Sequence, residues 1–284
     1  MKRDPSASVR AARVLRWQHG TKPARYADEL AVEEPLEIRV DTRPVVVTMR
    51  TPGHDRELAA GFLLSEGLIR GREDVLKLAP YVHNATANVV EVFLAPGVKV
   101  DFAQLTRHVY ASSSCGLCGK ASIAAVHQHF PKLPSSRWRV RASLVAGLPE
   151  RLRAGQETFD RTGGLHAAGV FDARGRLVVL REDVGRHNAV DKVLGHGLLN
   201  DALPFRRHLL AVSGRASFEI LQKALAARIA VVAAVSAPSS LAVEFARRSG
   251  QTLVGFLRGD RMNVYSHPER LVFDSPSSPG RNLR

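Results

Sequence analysis

Residues 209–256, LLAVSGRASFEILQKALAARIAVVAAVSAPSSLAVEFARRSGQTLVGF, decide the fold class. The short apolar runs at 209–212, 230–235 and 252–256 have strand length and are rich in Val, Ile and Leu. Between them, 217–227 and 239–249 carry apolar residues at helical spacing. Parallel neighbours in a sheet need a crossover, so this alternation predicts helices packed on a largely parallel sheet. Upstream, apolar runs at 166–171 and 176–181 flank Asp172-Ala173-Arg174-Gly175, a hairpin turn signal that adds antiparallel strands and makes the sheet mixed. Helices are expected over 144–152 and 187–199. The α/β unit is expected to span 136–268.

Moving toward the N-terminus, 33–40 and 45–50 read as strands joined by Asp41-Thr42-Arg43-Pro44. A helix follows over 57–68 with Leu58, Phe62 and Ser65 on one face, and a strand over 89–94 ends at Pro96-Gly97. These make a small α+β unit over 26–110. Residues 111–135 are expected to form a mobile cysteine-bearing loop and a helix over 121–130, stopped by Pro131 and Pro134. Lys2, Arg3, Arg10, Arg13, Arg16, Lys22 and Arg25 face only Asp4, so 1–25 read as a basic flexible arm. Residues 269–284 are rich in Ser, Pro and Arg and read as a flexible tail.

A content of 45% hydrophobic and 24% charged residues is that of a globular protein. The longest apolar run, 229–235, is far short of the roughly 18 residues a bilayer requires, and no secretory leader is apparent. Two cysteines in 284 residues fit a reducing cytoplasm. The net charge of +14 points to a polyanionic partner. The excess is scattered as Arg among only 6% aromatics, which disfavours a nucleic-acid groove.

Both cysteines lie in Ser112-Ser-Ser-Cys-Gly-Leu-Cys-Gly-Lys120, ahead of a helical pattern. Cys115 and Cys118 are compatible with a redox dithiol, half of a metal site, or a nucleophile with a helper. A helix N-terminus and the Lys120 cation favour the thiolate, and Gly116 and Gly119 loosen the loop. Zinc would need two more ligands, and His127 and His129 lack the usual spacing. A thioredoxin-type dithiol would need a topology that the preceding α+β pattern does not supply. The nucleophile leads, with the others left open.

Two strand-to-helix turns are candidate anion sites. Ser213-Gly214-Arg215-Ala216-Ser217 offers free N–H groups, a cation and Ser217 as a cap; Ser236-Ala237-Pro238-Ser239-Ser240 repeats the arrangement one strand later. On successive turns of one sheet they would open at one edge. Neither is a P-loop or a dinucleotide fingerprint. Phe256, Leu257, Arg258, Gly259, Asp260 and Arg261 bring two arginines to that edge, suited to phosphate. The run Arg181-Glu182-Asp183-Val184-Gly185-Arg186-His187-Asn188, continued by Asp191 and Lys192, is a polar cluster at a strand end. His166, after Gly163-Gly164, reads as a core histidine in preference to a ligand or base.

Taken together, the cysteine segment, Thr162-Gly-Gly-Leu-His-Ala-Ala168, 181–192, 213–218 and 235–240 resemble the formate dehydrogenase accessory sulfurtransferase family, FdhD/NarQ type, across most of 30–270. The resemblance implies a cytoplasmic homodimer whose C-terminal unit has a cytidine-deaminase-like α/β fold. It implies a protein that takes persulfide sulfur from a cysteine desulfurase and passes it to Mo-bis(molybdopterin guanine dinucleotide) before that cofactor enters formate dehydrogenase. The cofactor is then a bound substrate, and no permanently bound metal is expected. Cys115 would carry the persulfide and Cys118 would assist. The cofactor's phosphates and guanines would lie against Ser213, Gly214, Arg215, Ser239 and residues 256–261. Deaminase chemistry is not expected, because His166-Ala167-Ala168 lacks the required Glu and 111–114 lacks the Pro. The competing readings are a cofactor-binding chaperone with auxiliary cysteines and a CxxC thiol reductase.

Overall fold

A computed structural model describes residues 8–80, 88–100, 102 and 130–274. Cys115, Cys118 and most of the helix expected at 121–130 lie outside the described residues. In chain order the elements are β1 (Val9–Arg16), β2 (Ala24–Ala31), β3 (Glu34–Val40), β4 (Arg43–Arg50), α1 (Asp55–Ser65), β5 (Val75–Pro80) and β6 (Val89–Leu94). After the undescribed segment come β7 (Val140–Arg141), α2 (Ala142–Ala146), α3 (Leu148–Arg153), α4 (Glu157–Thr162), β8 (His166–Phe171), β9 (Leu177–Asp183) and α5 (Arg186–Leu199). The chain then alternates through β10 (Leu209–Val212), α6 (Phe218–Ala226), β11 (Val231–Ala234), α7 (Ser240–Ser249) and β12 (Thr252–Arg258), and ends in β13 (Arg261–Ser266) and β14 (Leu271–Val272).

The expected mixed sheet has six strands in the order β13-β12-β11-β10-β8-β9. β10, β11 and β12 run parallel; β8 is antiparallel to β10 and to β9, and β13 is antiparallel to β12. Strand periodicity explains why the central strands read as unbroken apolar runs. Alternate side chains of β10 and β11 enter two different cores: Leu210, Val212, Val232 and Ala234 on one face, Leu209, Ala211, Val231 and Ala233 on the other. α2 and α3 cover the second face with Val145, Leu148 and Leu152.

The first core is larger and continuous. It runs from the four-stranded sheet β4-β3-β6-β5 through α1, α5, α6 and α7 to the six-stranded sheet. Leu36, Ile38 and Val40 alternate inward along β3, as a sheet with one covered face requires. The stretches 26–110 and 136–268 therefore contribute to one core. Their junction is a helix crossing of unusual closeness. A Cβ on Gly61 of α1 would stand 1.8 Å from the Asp191 carbonyl oxygen of α5, and a Cβ on Gly195 would stand 1.8 Å from the Glu57 carbonyl oxygen. Only glycine allows this approach of two backbones.

Three expectations change. The arm is not loose over its described part: β1 pairs antiparallel with β2 through eight registered positions, and Arg161 of α4 makes a two-nitrogen contact with Glu29. Its arginines occupy outward strand positions, which hid the alternation. The tail begins later than 269, since Leu271 and Val272 pair with Val140 and Arg141. The helix expected over 144–152 is two short helices separated by Gly147, with Pro149 opening the second.

Candidate functional site

Strand direction decides which ends meet. The C-terminal ends of the parallel strands β10, β11 and β12 share one edge of the sheet. β8 runs the other way, so its first residue, His166, lies at that edge, and His166 is paired with Asp183 at the end of β9. The N-termini of α5, α6 and α7 therefore converge there too, as the sequence predicted for the last two. Cross-links hold the edge together. Ser213 N–H donates to the Ala167 carbonyl, and Ser213 Oγ accepts from Ala167 N–H at 2.9 Å. Ser239 N–H donates to the Ala216 carbonyl, and Phe256 N–H to the Ser236 carbonyl.

A cavity of about 1020 Å³ opens at this edge, with His166, Ser213 and Val235 in its wall and Arg153, Gln156 and Phe159 opposite. His166 is half-buried and its ring makes no hydrogen bond to another described residue, so it is not the satisfied core histidine expected. Burial pushes its ring below the usual imidazole range, reinforced by the charges of Arg186 and Arg215 and by the nearby His187, and opposed by Asp183. Two arginines thus stand near the ring, while Glu150 and Asp160 line the same cavity. Gly214 lets the turn lie against this ring: a Cβ there would meet His166 Nδ1 at 3.3 Å and Arg186 Cδ at 3.6 Å. Arg186 Nε is buried with no partner among the described residues, while Arg215 is exposed.

The hydroxyls of the two turns are already engaged. Ser217 does not cap α6 through its side chain; its Oγ lies 3.0 Å from His187 Nε2, which also meets Glu219 Oε2 at 2.8 Å. Ser239 caps α7, accepting from Ala242 N–H at 3.2 Å. With these hydroxyls engaged, Arg186 and Arg215 are the side chains at this edge suited to meet an anion.

The polar cluster of 181–192 turns out to be mostly a structural brace. Arg181 grips Glu57 of α1 with two nitrogens. Burial alone would raise the Glu57 pKa, but hydrogen bonds from Arg181 and His54 hold it well below the carboxylate range. Glu182 accepts from the N–H groups of Thr158 and Phe159 and so caps α4. Asp183, fully buried, pairs with Lys192 at 2.6 Å and accepts from the N–H groups of Thr51 and Gly185 and from Asn188. Asp191 pairs with Lys223, and Ser65 bridges the two. Burial works against the Lys223 charge, but the Asp191 carboxylate holds its pKa above the usual range. Only Arg186 and His187 of this run serve the edge.

Residues 256–261 split between two places. Phe256 sits in a bulge of β12 with φ of 53° and is 39% exposed at the edge. Leu257, expected to touch the cofactor, points instead into the second core at 1% exposure. β12 runs on to Arg258 and returns as β13, so the expected loop is a hairpin tip. Gly259, Asp260 and Arg261 line an adjoining cavity of about 750 Å³, which shares Glu150 with the first. The sequence reading noted His166 at a strand start after Gly163-Gly164 but took it for a core residue, and it included Arg186 only within the polar cluster at a strand end. No cluster of three or more His, Cys, Asp or Glu able to hold a metal occurs among the described residues, and no described helix is long and apolar enough to cross a membrane.

The FdhD/NarQ family model matches residues 31–272. A Streptomyces coelicolor protein named sulfur carrier protein FdhD is 52% identical over 94% of this chain and 97% of its own. A Mycobacterium tuberculosis protein of the same name is 54% identical over 86% of this chain and 92% of its own. A crystal structure from Desulfotalea psychrophila, described as a formate dehydrogenase accessory protein, superposes with a TM-score of 0.76 at 24% identity, covering 93% of this chain and all of that one.

Proposed function

The chain belongs to the FdhD/NarQ family, and on that premise we propose that it is a sulfur carrier that serves formate dehydrogenase. The observation that carries this reading is the match along nearly the whole of the Streptomyces sulfur carrier protein. Cys115 is the carrier. Its thiolate attacks the outer sulfur of a persulfide on a cysteine desulfurase; a Cys115 S–S bond forms, the donor S–S bond breaks, and the donor cysteine leaves as thiolate. Such exchange is fastest for an accessible thiol of moderate pKa, which the Lys120 neighbour and the glycines at 116 and 119 favour. Cys118 assists release: its attack on Cys115 Sγ expels hydrosulfide and leaves a disulfide that a thiol reductant reopens.

The acceptor is the anionic molybdenum cofactor, bound as substrate with its guanine nucleotide portion. The guanidiniums of Arg186 and Arg215 beside the three helix starts support an acceptor with phosphates, and the cavity of about 1020 Å³ has the size of a small-molecule site. Phe256 and the tip at Arg258 and Arg261 supply contacts beside it, as do Ser213 and Gly214 through their backbone. The chain acts as a homodimer in the cytoplasm.

The test is an intact-mass measurement after incubation with a cysteine desulfurase and cysteine. Wild-type protein gains one sulfur, and Cys115→Ala does not. If wild type gains no sulfur, the carrier reading fails. Retained binding of guanine nucleotide by a variant with both cysteines replaced by alanine, without any sulfur adduct in the wild type, would instead favour a cofactor-binding chaperone.

A further inference from the structure

At the opposite edge of the six-stranded sheet, where β11 and β12 begin, lies a separate cavity of about 590 Å³ whose lining includes Lys132, Ser136, Arg139, His267, Glu269 and Arg270. Arg270 is 6% exposed. Its Nη1 donates to Thr252 Oγ1 at 2.7 Å and reaches the Ala230 carbonyl at 3.5 Å. Among the described residues its Nε is buried without a partner, and none of their carboxylates forms an ion pair with Arg270.

This is costly. A buried guanidinium is ordinarily paired, because desolvation of an uncompensated charge costs several kcal/mol. Glu269, which also lines the cavity, is 61% exposed and is held by His267 Nδ1 at 2.9 Å, with no ion pair to Arg270. Burial lowers the Arg270 pKa, Arg139 adds to that, and Glu269 only partly opposes it. The other cations are accounted for. Lys132 stands at the C-terminal end of α7, where Leu133 N–H donates to the Ser249 carbonyl and the helix dipole favours a positive charge. Arg139 is exposed and donates to the Ser136 and Trp138 carbonyls. Among the described residues Arg270 has no paired anion, and the cavity beside it is also lined by the cations of Arg139 and Lys132.

We propose that this cavity is an oxyanion site for a phosphate-class dianion, with Arg270 as its buried base and Arg139 as its outer clamp. Arginine suits that role because its planar fork can bond two oxygens at once. The site is distinct from the edge that holds His166 and does not depend on the sulfur-carrier reading. The dianion comes either as inorganic phosphate or as the phosphoryl end of a monoester, and the cavity has space for a small organic remainder.

Thermal unfolding of the full chain at constant ionic strength tests this, with inorganic phosphate, glycerol 3-phosphate and chloride as the three additions. Phosphate or the monoester raises the midpoint saturably, as a ligand of the folded state must, and chloride does not. Arg139→Gln weakens the half-saturating concentration about tenfold while sulfur loading at Cys115 is unchanged; Arg215→Gln leaves the shift intact. Tighter response to glycerol 3-phosphate identifies a monoester, and response to phosphate alone identifies the free ion. No saturable shift, or a shift retained in Arg139→Gln and lost in Arg215→Gln, overturns the proposal. Should Arg270→Gln fail to fold, the Arg139 variant decides alone.

Discussion

Lys192 and Asp183 show how a motif dense in charge can serve the fold. Lys192→Met would leave the Asp183 carboxylate buried beside three donors but without its cation. We expect a loss of about 3–5 kcal/mol in urea unfolding, partly recovered in the double variant Asp183→Asn/Lys192→Met. His166 is the opposite case, a half-buried ring facing a cavity. Its pKa lies below the unfolded value of about 6.5. Above that pH the ring is neutral in both states, and stability is full. As pH falls the unfolded chain takes the proton first, so stability is lost toward the folded pKa. His208, also held below the imidazole range by burial, acts in the same direction. The urea midpoint should therefore fall between pH 7 and 5.5, and less steeply in His166→Gln. At this scale the sequence was half legible. It placed Arg215 and Gly214 on the strand-to-helix turn at this edge because turn chemistry is local, and it misjudged which way His166 and Leu257 face because that depends on partners far along the chain.

The elements from β10 to β12 were legible because two covered faces demand apolar residues at every position, leaving helical spacing only in the crossovers. β1 and β2 were not, because an exposed hairpin carries Arg at outward positions and shows no apolar run. The hairpin of β12 and β13 was hidden for a related reason: a bulge at Phe256 breaks the alternation that would have announced it. The α1–α5 crossing was also invisible, since a glycine inside a helix reads as a weakness until its neighbour is known. Gly61→Ala or Gly195→Ala would drive a methyl into a backbone carbonyl. Each should cost about 3 kcal/mol, read as a drop in the unfolding midpoint, and the effect should be absent in Gly147→Ala, where the nearest atom would be 3.7 Å away.

Across the whole molecule, neither core draws on the first hairpin: both clusters begin at or after Leu36. Removing residues 1–31 should leave the melting temperature within a few degrees and sulfur loading at Cys115 intact, measured by circular dichroism and intact mass. A large loss would mean that the contact of Arg161 with Glu29 does more than tether the hairpin. The two glycines where α1 crosses α5 carry a wider consequence. Layers that slide past each other in other proteins do so on a cushion of side chains able to change rotamer. Here main chain rests on main chain with nothing to serve as lubricant, so the two sheets are bolted into one rigid frame. A clamshell closure of the frame would shear this joint, where the carbonyls of Glu57 and Asp191 leave no space for a side chain.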